Sequence, residues 1–141
     1  MGYRAHIYKK KIVEYSDNEY FNWQCSELNE YINQLKEDML DYAEDNNIES
    51  MIDVCTCDPF DTEDEYGGVL GEWEIYREWL EQAVLYLDVQ IIKGKGDDIA
   101  FGDGDNAYTL EYVRNAFDSW LKESSNKDNF TYPEFVYISW F

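Results

Sequence analysis

Few side chains in this sequence can do covalent or metal chemistry. One histidine, His6, and three cysteines, Cys25, Cys55 and Cys57, stand among 31 acidic residues in a chain of 141. A nucleophilic triad or a Cys–His pair needs a base within hydrogen-bond reach of its nucleophile. His6 lies in an alternating, strand-like segment between Arg4 and Lys9, the position of a surface or edge side chain. Cys55-Thr56-Cys57 with Cys25 and His6 would make a three-thiolate, one-imidazole set. Structural zinc sites present C-x2-4-C spacing, which C-x-C misses; on a strand both cysteines would share one face and pack as small apolar groups. Asp103-Gly104-Asp105-Asn106 has the outline of a calcium loop, but Tyr108 stands where that loop needs glycine and Arg114 where it needs a bidentate glutamate. Gly94-Lys95-Gly96 lacks the Gly-Lys-Ser/Thr ending of a phosphate loop. Paired carboxylates can hydrolyse glycosides, yet among 31 acids some pair always looks suggestive. No catalytic residue, cofactor or metal is expected, and the protein is expected to act by binding.

Charge is the dominant feature. The formal net charge is -20, with 11 basic residues against the 31 acids. Disordered chains share such charge but lack aromatics; 5 Trp, 13 Tyr and 7 Phe supply enough apolar surface for a core. Residues 1–13 carry Arg4, Lys9, Lys10 and Lys11 and no acid, so every carboxylate lies after them. Solubility needs a net magnitude of only about 2–8 in a small domain, and the excess costs stability through self-repulsion. Direct nucleic-acid binding is disfavoured, since phosphates are drawn to clustered Lys and Arg, and so are anionic lipid surfaces. No run of apolar residues is long enough to span a membrane. An odd number of cysteines without a secretion signal implies free thiols and a location in a reducing cytoplasm.

The elements that must carry this charge can be read from periodicity. The length implies a single domain over residues 1–141. Tyr3 to Tyr15 alternates as an extended segment, with the three lysines at a hairpin tip or along a guarded edge. Ser26 to Asp45 is the clearest helix, capped by Ser26, stopped near Asn46-Asn47, and striped by Leu28, Tyr31, Ile32, Leu35, Met39 and Tyr42. Met51 to Cys57 reads as a short strand, Glu72 to Leu87 as a second helix, and Val89 to Lys93 with Asp98 to Phe101 as a hairpin. Thr109 is placed to cap a third helix through Lys122, and Phe135 to Trp140 reads as a last strand. The expected fold is α+β, with about three helices packed on one side of a mainly antiparallel sheet.

The first helix carries its acids opposite the stripe: Glu27, Glu30, Glu37, Asp38, Asp41, Glu44 and Asp45, with Lys36 the only base. Several are i,i+3 or i,i+4 pairs that repel, and the last ones crowd the C-terminus, where the helix dipole disfavours anions. Acids three, four or seven residues apart lie about 4.5, 6 or 10 Å apart along a helix axis. Duplex DNA carries one charge per about 1.7 Å of axis, or about 3.4 Å per strand. With Asp61, Glu63, Asp64 and Glu65 in the following acidic loop, such rows can imitate a phosphate track and occupy a basic nucleic-acid groove. Association would then be fast, steered and salt-sensitive.

In size, acidity and lack of a catalytic motif the chain resembles small counter-defence inhibitors of phages and mobile elements, the anti-restriction DNA mimics and acidic anti-CRISPR proteins. The resemblance rests on the acid-rich segments 27–45 and 58–65 and on the abundant Trp and Tyr. It implies a partner that is a basic nuclease or another nucleic-acid-binding protein, blocked at its DNA or RNA channel. An immunity protein neutralising a basic toxin nuclease has the same size and acidity and is the alternative. A carboxylate-based enzyme is the third.

Overall fold

Leu28, Ile32, Leu35, Met39 and Ala43 recur at intervals of three and four, and all are buried along one side of a 22-residue helix, α1 (Cys25–Asn46), in the computed structural model. The structure describes residues 5–8, 15–20, 25–59, 72–124 and 135–140. Helix α1 begins at Cys25, one residue before Ser26. Its end falls where Asn46-Asn47 predicts. Asn46 Nδ2 donates to the Tyr42 carbonyl at 2.8 Å, and Asn47 adopts a φ of 55° that turns the chain out of the helix. Three further helices follow, α2 (Glu49–Cys55), α3 (Arg77–Gln90) and α4 (Leu110–Ser124).

Six strands, each of two to six residues, complete the described elements. They are β1 (Ala5–Tyr8), β2 (Tyr15–Tyr20), β3 (Glu72–Tyr76), β4 (Ile99–Phe101), β5 (Tyr108–Thr109) and β6 (Phe135–Trp140). Antiparallel pairing gives the order β2-β1-β6-β3, with Ile75 opposite Val136, both buried. A separate ribbon joins β4 to β5. The Lys9–Lys11 segment, expected at a hairpin tip, lies outside the described residues.

Helix, not sheet, is the dominant component, which overturns the expected α+β arrangement of about three helices on a mainly antiparallel sheet. Among the residues whose burial is described, 18 apolar ones are buried; Ile75 and Val136 come from strands and the others belong to the four helices. The reason is local. Two expected strands are helical: Met51 to Cys57 is largely α2, and Val89 to Lys93 continues α3 into a π-turn over Ile91–Lys95. That turn ends at Gly94, whose φ of 88° is open to glycine and strained for other residues. Conversely, the first turn of the expected second helix is strand β3. Tyr76 is extended (φ -62°, ψ 127°), and its N–H donates to the Pro59 carbonyl at 3.0 Å.

Helices α3 and α4 meet through large aromatics. The Trp79 and Phe117 ring centroids lie 6.1 Å apart in an edge-on arrangement, and Phe117 and Trp120 lie 5.5 Å apart. Over this seam Arg114 Nε donates to Asp88 Oδ1 at 2.7 Å. Helix α4 starts as its sequence signals, because the Tyr112 N–H donates to Thr109 Oγ1 at 3.1 Å. Thr109→Ala removes that cap and is expected to cost about 1 kcal/mol of stability in a urea titration; a change near zero would mean water caps the helix equally well.

Candidate functional site

The inner stripe of α1 fixes what its outer side presents. With Leu28, Ile32, Leu35 and Met39 facing the core, Glu27, Glu30, Glu37, Asp38, Asp41, Glu44 and Asp45 are all exposed. The structure therefore brings these seven predicted residues onto the solvent side of one helix. From Glu37 to Asp45 they extend over about 12 Å at the ordinary helical rise. Asp58 is also exposed, while Asp61, Glu63, Asp64 and Glu65 lie outside the described residues.

Of the described cations, Arg114, Lys122 and Arg77 are engaged away from α1, whereas Lys36 lies on α1 and Lys93 beside it. Arg114 bridges Asp88 and, at 3.6 Å, Asp118, which also takes Lys122 Nζ at 2.8 Å. The Asp88 hydrogen bond, reinforced by both carboxylates, raises the Arg114 pKa above its ordinary value despite some desolvation. Arg77 Nη1 donates to the Leu121 carbonyl, and Lys93 Nζ sits 5.5 Å from the Tyr42 ring centroid. Among the described residues, none of the seven α1 acids is in an ion pair. Asp38 accepts a hydrogen bond from Gln34 at 3.0 Å, a neutral contact that leaves its charge uncompensated.

Tyrosines flank this ridge. Tyr42 of α1 meets Tyr86 of α3 edge-on at 5.5 Å. Burial raises the Tyr86 phenol's pKa, and Asp38, Tyr42 and Asp41 push it further in the same direction. Burial likewise drives the Tyr31 phenol well above its usual value, with Tyr86 and Asp38 adding to the effect. Both phenols thus ionise later than an ordinary tyrosine, and the Tyr31 hydroxyl is buried without a described hydrogen-bond partner.

The cysteine pair behaves differently from the strand expectation. Cys55 closes α2 with its thiol buried, whereas Cys57 is exposed, so the two do not share a face. Burial pushes the Cys55 thiol up to about 11, partly offset by Lys36; it packs as a protonated apolar group. Among the described residues no group of three or more His, Cys, Asp or Glu is arranged to hold a metal ion.

Sequence reasoning missed a second acidic surface. Asp97, Asp98, Asp103, Asp105 and Glu111 are exposed around the β4–β5 ribbon, and no base occurs between Gly96 and Val113. A row of rings runs from α1 through this ribbon to α4: Tyr31 to Phe101 at 5.4 Å, Phe101 to Tyr108 at 5.0 Å, and Tyr108 to Tyr112 at 5.0 Å. The base-free stretch is visible in the sequence, but its acids belong to a turn, a ribbon and a helix start that only the fold brings together. Among the described residues no helix is long and apolar enough to cross a membrane. Comparison with protein-family models, with curated proteins and with solved structures gives no match.

Proposed function

We propose that the protein is an inhibitor that works by occupancy, its α1 ridge taking the place of nucleic acid in the basic groove of a nuclease or other nucleic-acid-binding effector. The observation that carries this reading is the set of seven exposed α1 carboxylates without a described cationic partner. A surface kept this negative against self-repulsion is complementary to a cleft built for phosphates. The partner's Lys and Arg supply the neutralisation that the described residues do not, as in counter-defence inhibitors of the anti-restriction and anti-CRISPR type.

Competition tests the proposal. A labelled DNA duplex is bound to each of a panel of restriction and RNA-guided nucleases, and the protein is titrated in. Displacement from at least one member is expected, weakening by tenfold or more as salt rises from about 50 to about 200 mM. No displacement from any member, or displacement indifferent to salt, would overturn the electrostatic reading.

A further inference from the structure

We propose that the outward side of α3 and its π-turn is the contact surface for a second copy of this chain, docked antiparallel across a two-fold axis. Such a contact is independent of the inhibitor reading. The helical backbone of α3 runs on through Ile92 and Lys93 and is broken at Gly94. Leu85, Val89 and Ile92 follow one another at intervals of four and three along this rod, so they share one side of it. Val84, Leu87 and Gln90, on the inward side, are buried, whereas Leu85 is 55% exposed, Ile92 is 84% exposed and Val89 is partly buried. Single exposed apolar residues are ordinary; a row of them at helical spacing is the stripe that seats one helix against another.

The charges along the row select the occupant. Exposed Glu78 and Glu81 lie on the same side as Leu85, before it, and exposed Lys93 and Lys95 close the other end. Among the described residues neither lysine is in an ion pair, and the contact of Lys93 with Tyr42 is with a neutral ring. A two-fold contact requires a surface to be its own complement. With the axis passing between Asp88 and Val89, Leu85 meets the partner's Ile92, and Glu81 comes within side-chain reach of the partner's Lys93 and Lys95. Both pairings then occur twice. Asp88, near the axis, is already neutralised by Arg114 of its own chain at 2.7 Å, so the centre does not set bare carboxylates against each other. A parallel pairing would instead place acids on acids and lysines on lysines. Helix α1 offers no such match, because its seven exposed acids repel their counterparts in a second copy.

Sedimentation velocity of the full chain from about 1 µM to about 1 mM is expected to show a monomer–dimer equilibrium. Leu85→Ser with Ile92→Ser is expected to weaken it tenfold or more. Both positions are exposed, so circular dichroism should report an unchanged fold. Glu78→Lys with Glu81→Lys should weaken self-association, and so should Lys93→Glu with Lys95→Glu, because each variant sets like charges together at both ends. Mixing the two charge variants in equal amounts should restore dimers, since each then meets its opposite.

A monomer at every concentration would overturn the proposal. So would a dimer indifferent to the changes at Leu85 and Ile92, which would place the contact elsewhere. Charge variants that stay monomeric when mixed would refute the antiparallel pairing. Flotation of the monomer with neutral phosphatidylcholine vesicles, lost in Leu85→Ser with Ile92→Ser, would make a lipid surface the occupant and overturn the proposal as well. Displacement of DNA from a nuclease stands or falls separately from all of these results.

Discussion

Phe117→Ala is expected to lower the free energy of unfolding by about 3–5 kcal/mol, a large part of the total of about 5–15 kcal/mol typical of a domain. The ring is fully buried and lies between Trp79 and Trp120, so it joins α3 to α4. Alanine cannot fill that space. The two indoles are rigid, and the surrounding backbone is helical on both sides, so the cavity will collapse only in part. Urea unfolding should show a lower midpoint with an unchanged slope. A loss below about 1 kcal/mol would mean that the helices close over the gap, contrary to the packing described.

Reversing Glu37, Asp41 and Glu44 to Lys gives the second large effect, with opposite signs in two measurements. The association rate with the nuclease found by competition should fall by tenfold or more, since steering by a concentrated field accounts for about 10- to 1000-fold of such rates. Stability should hold or rise. The reversal leaves the 37/41 and 41/44 pairs like-charged but turns the repulsion of position 41 with Asp38 and Asp45 into attraction, and it puts cations in the last turns of α1, where each favourable dipole contact contributes about 0.3–1 kcal/mol. Stopped-flow association and thermal melting read the two effects separately. An unchanged association rate in a well-folded variant would remove α1 from the interface.

The α1 ridge was legible in the sequence because its two signals agree. The buried stripe Leu28, Ile32, Leu35 and Met39 has an unbroken 3,4 spacing, and the acids fill the complementary positions. Thr109 was legible for the same reason: a capping side chain directly precedes a periodic run, and the hydrogen bond is present. Where the reading failed, two periods fitted the same few residues. Ile52, Val54 and Thr56 alternate like a strand, but Met51 and Cys55 are four apart and are the pair that is buried in α2. A seven-residue element is too short for periodicity to decide.

The stripe from Trp73 through Tyr76 to Leu80 keeps helical spacing across a boundary that the chain does not respect. Ile75 is committed to Val136 in the sheet, a partner more than sixty positions away and invisible to any local pattern. Ile91 and Ile92 favour strands by β-branching, yet they continue α3 because the helix is already running and only Gly94 halts it. Lost strands and a gained helix together moved the fold from sheet-dominated to helix-dominated. The second acidic corner escaped because its acids belong to a turn, a ribbon and a helix start, which only the folded backbone brings together.

One detail of α1 bears on how recognition and folding are linked. Its last turn contains acids and no base; the Tyr42, Ala43 and Glu44 carbonyls accept from Asn46 Nδ2, the Ile48 N–H and the Asn47 N–H, so the negative ends left to solvent are the Glu44 and Asp45 carboxylates. A lysine or arginine arriving from outside completes this terminus as an internal C-terminal residue ordinarily would. On the inhibitor reading, amide protection around residues 43–46 rises further once this terminus is engaged by a cation. The guest thus borrows from its host the finishing charge of its own helix.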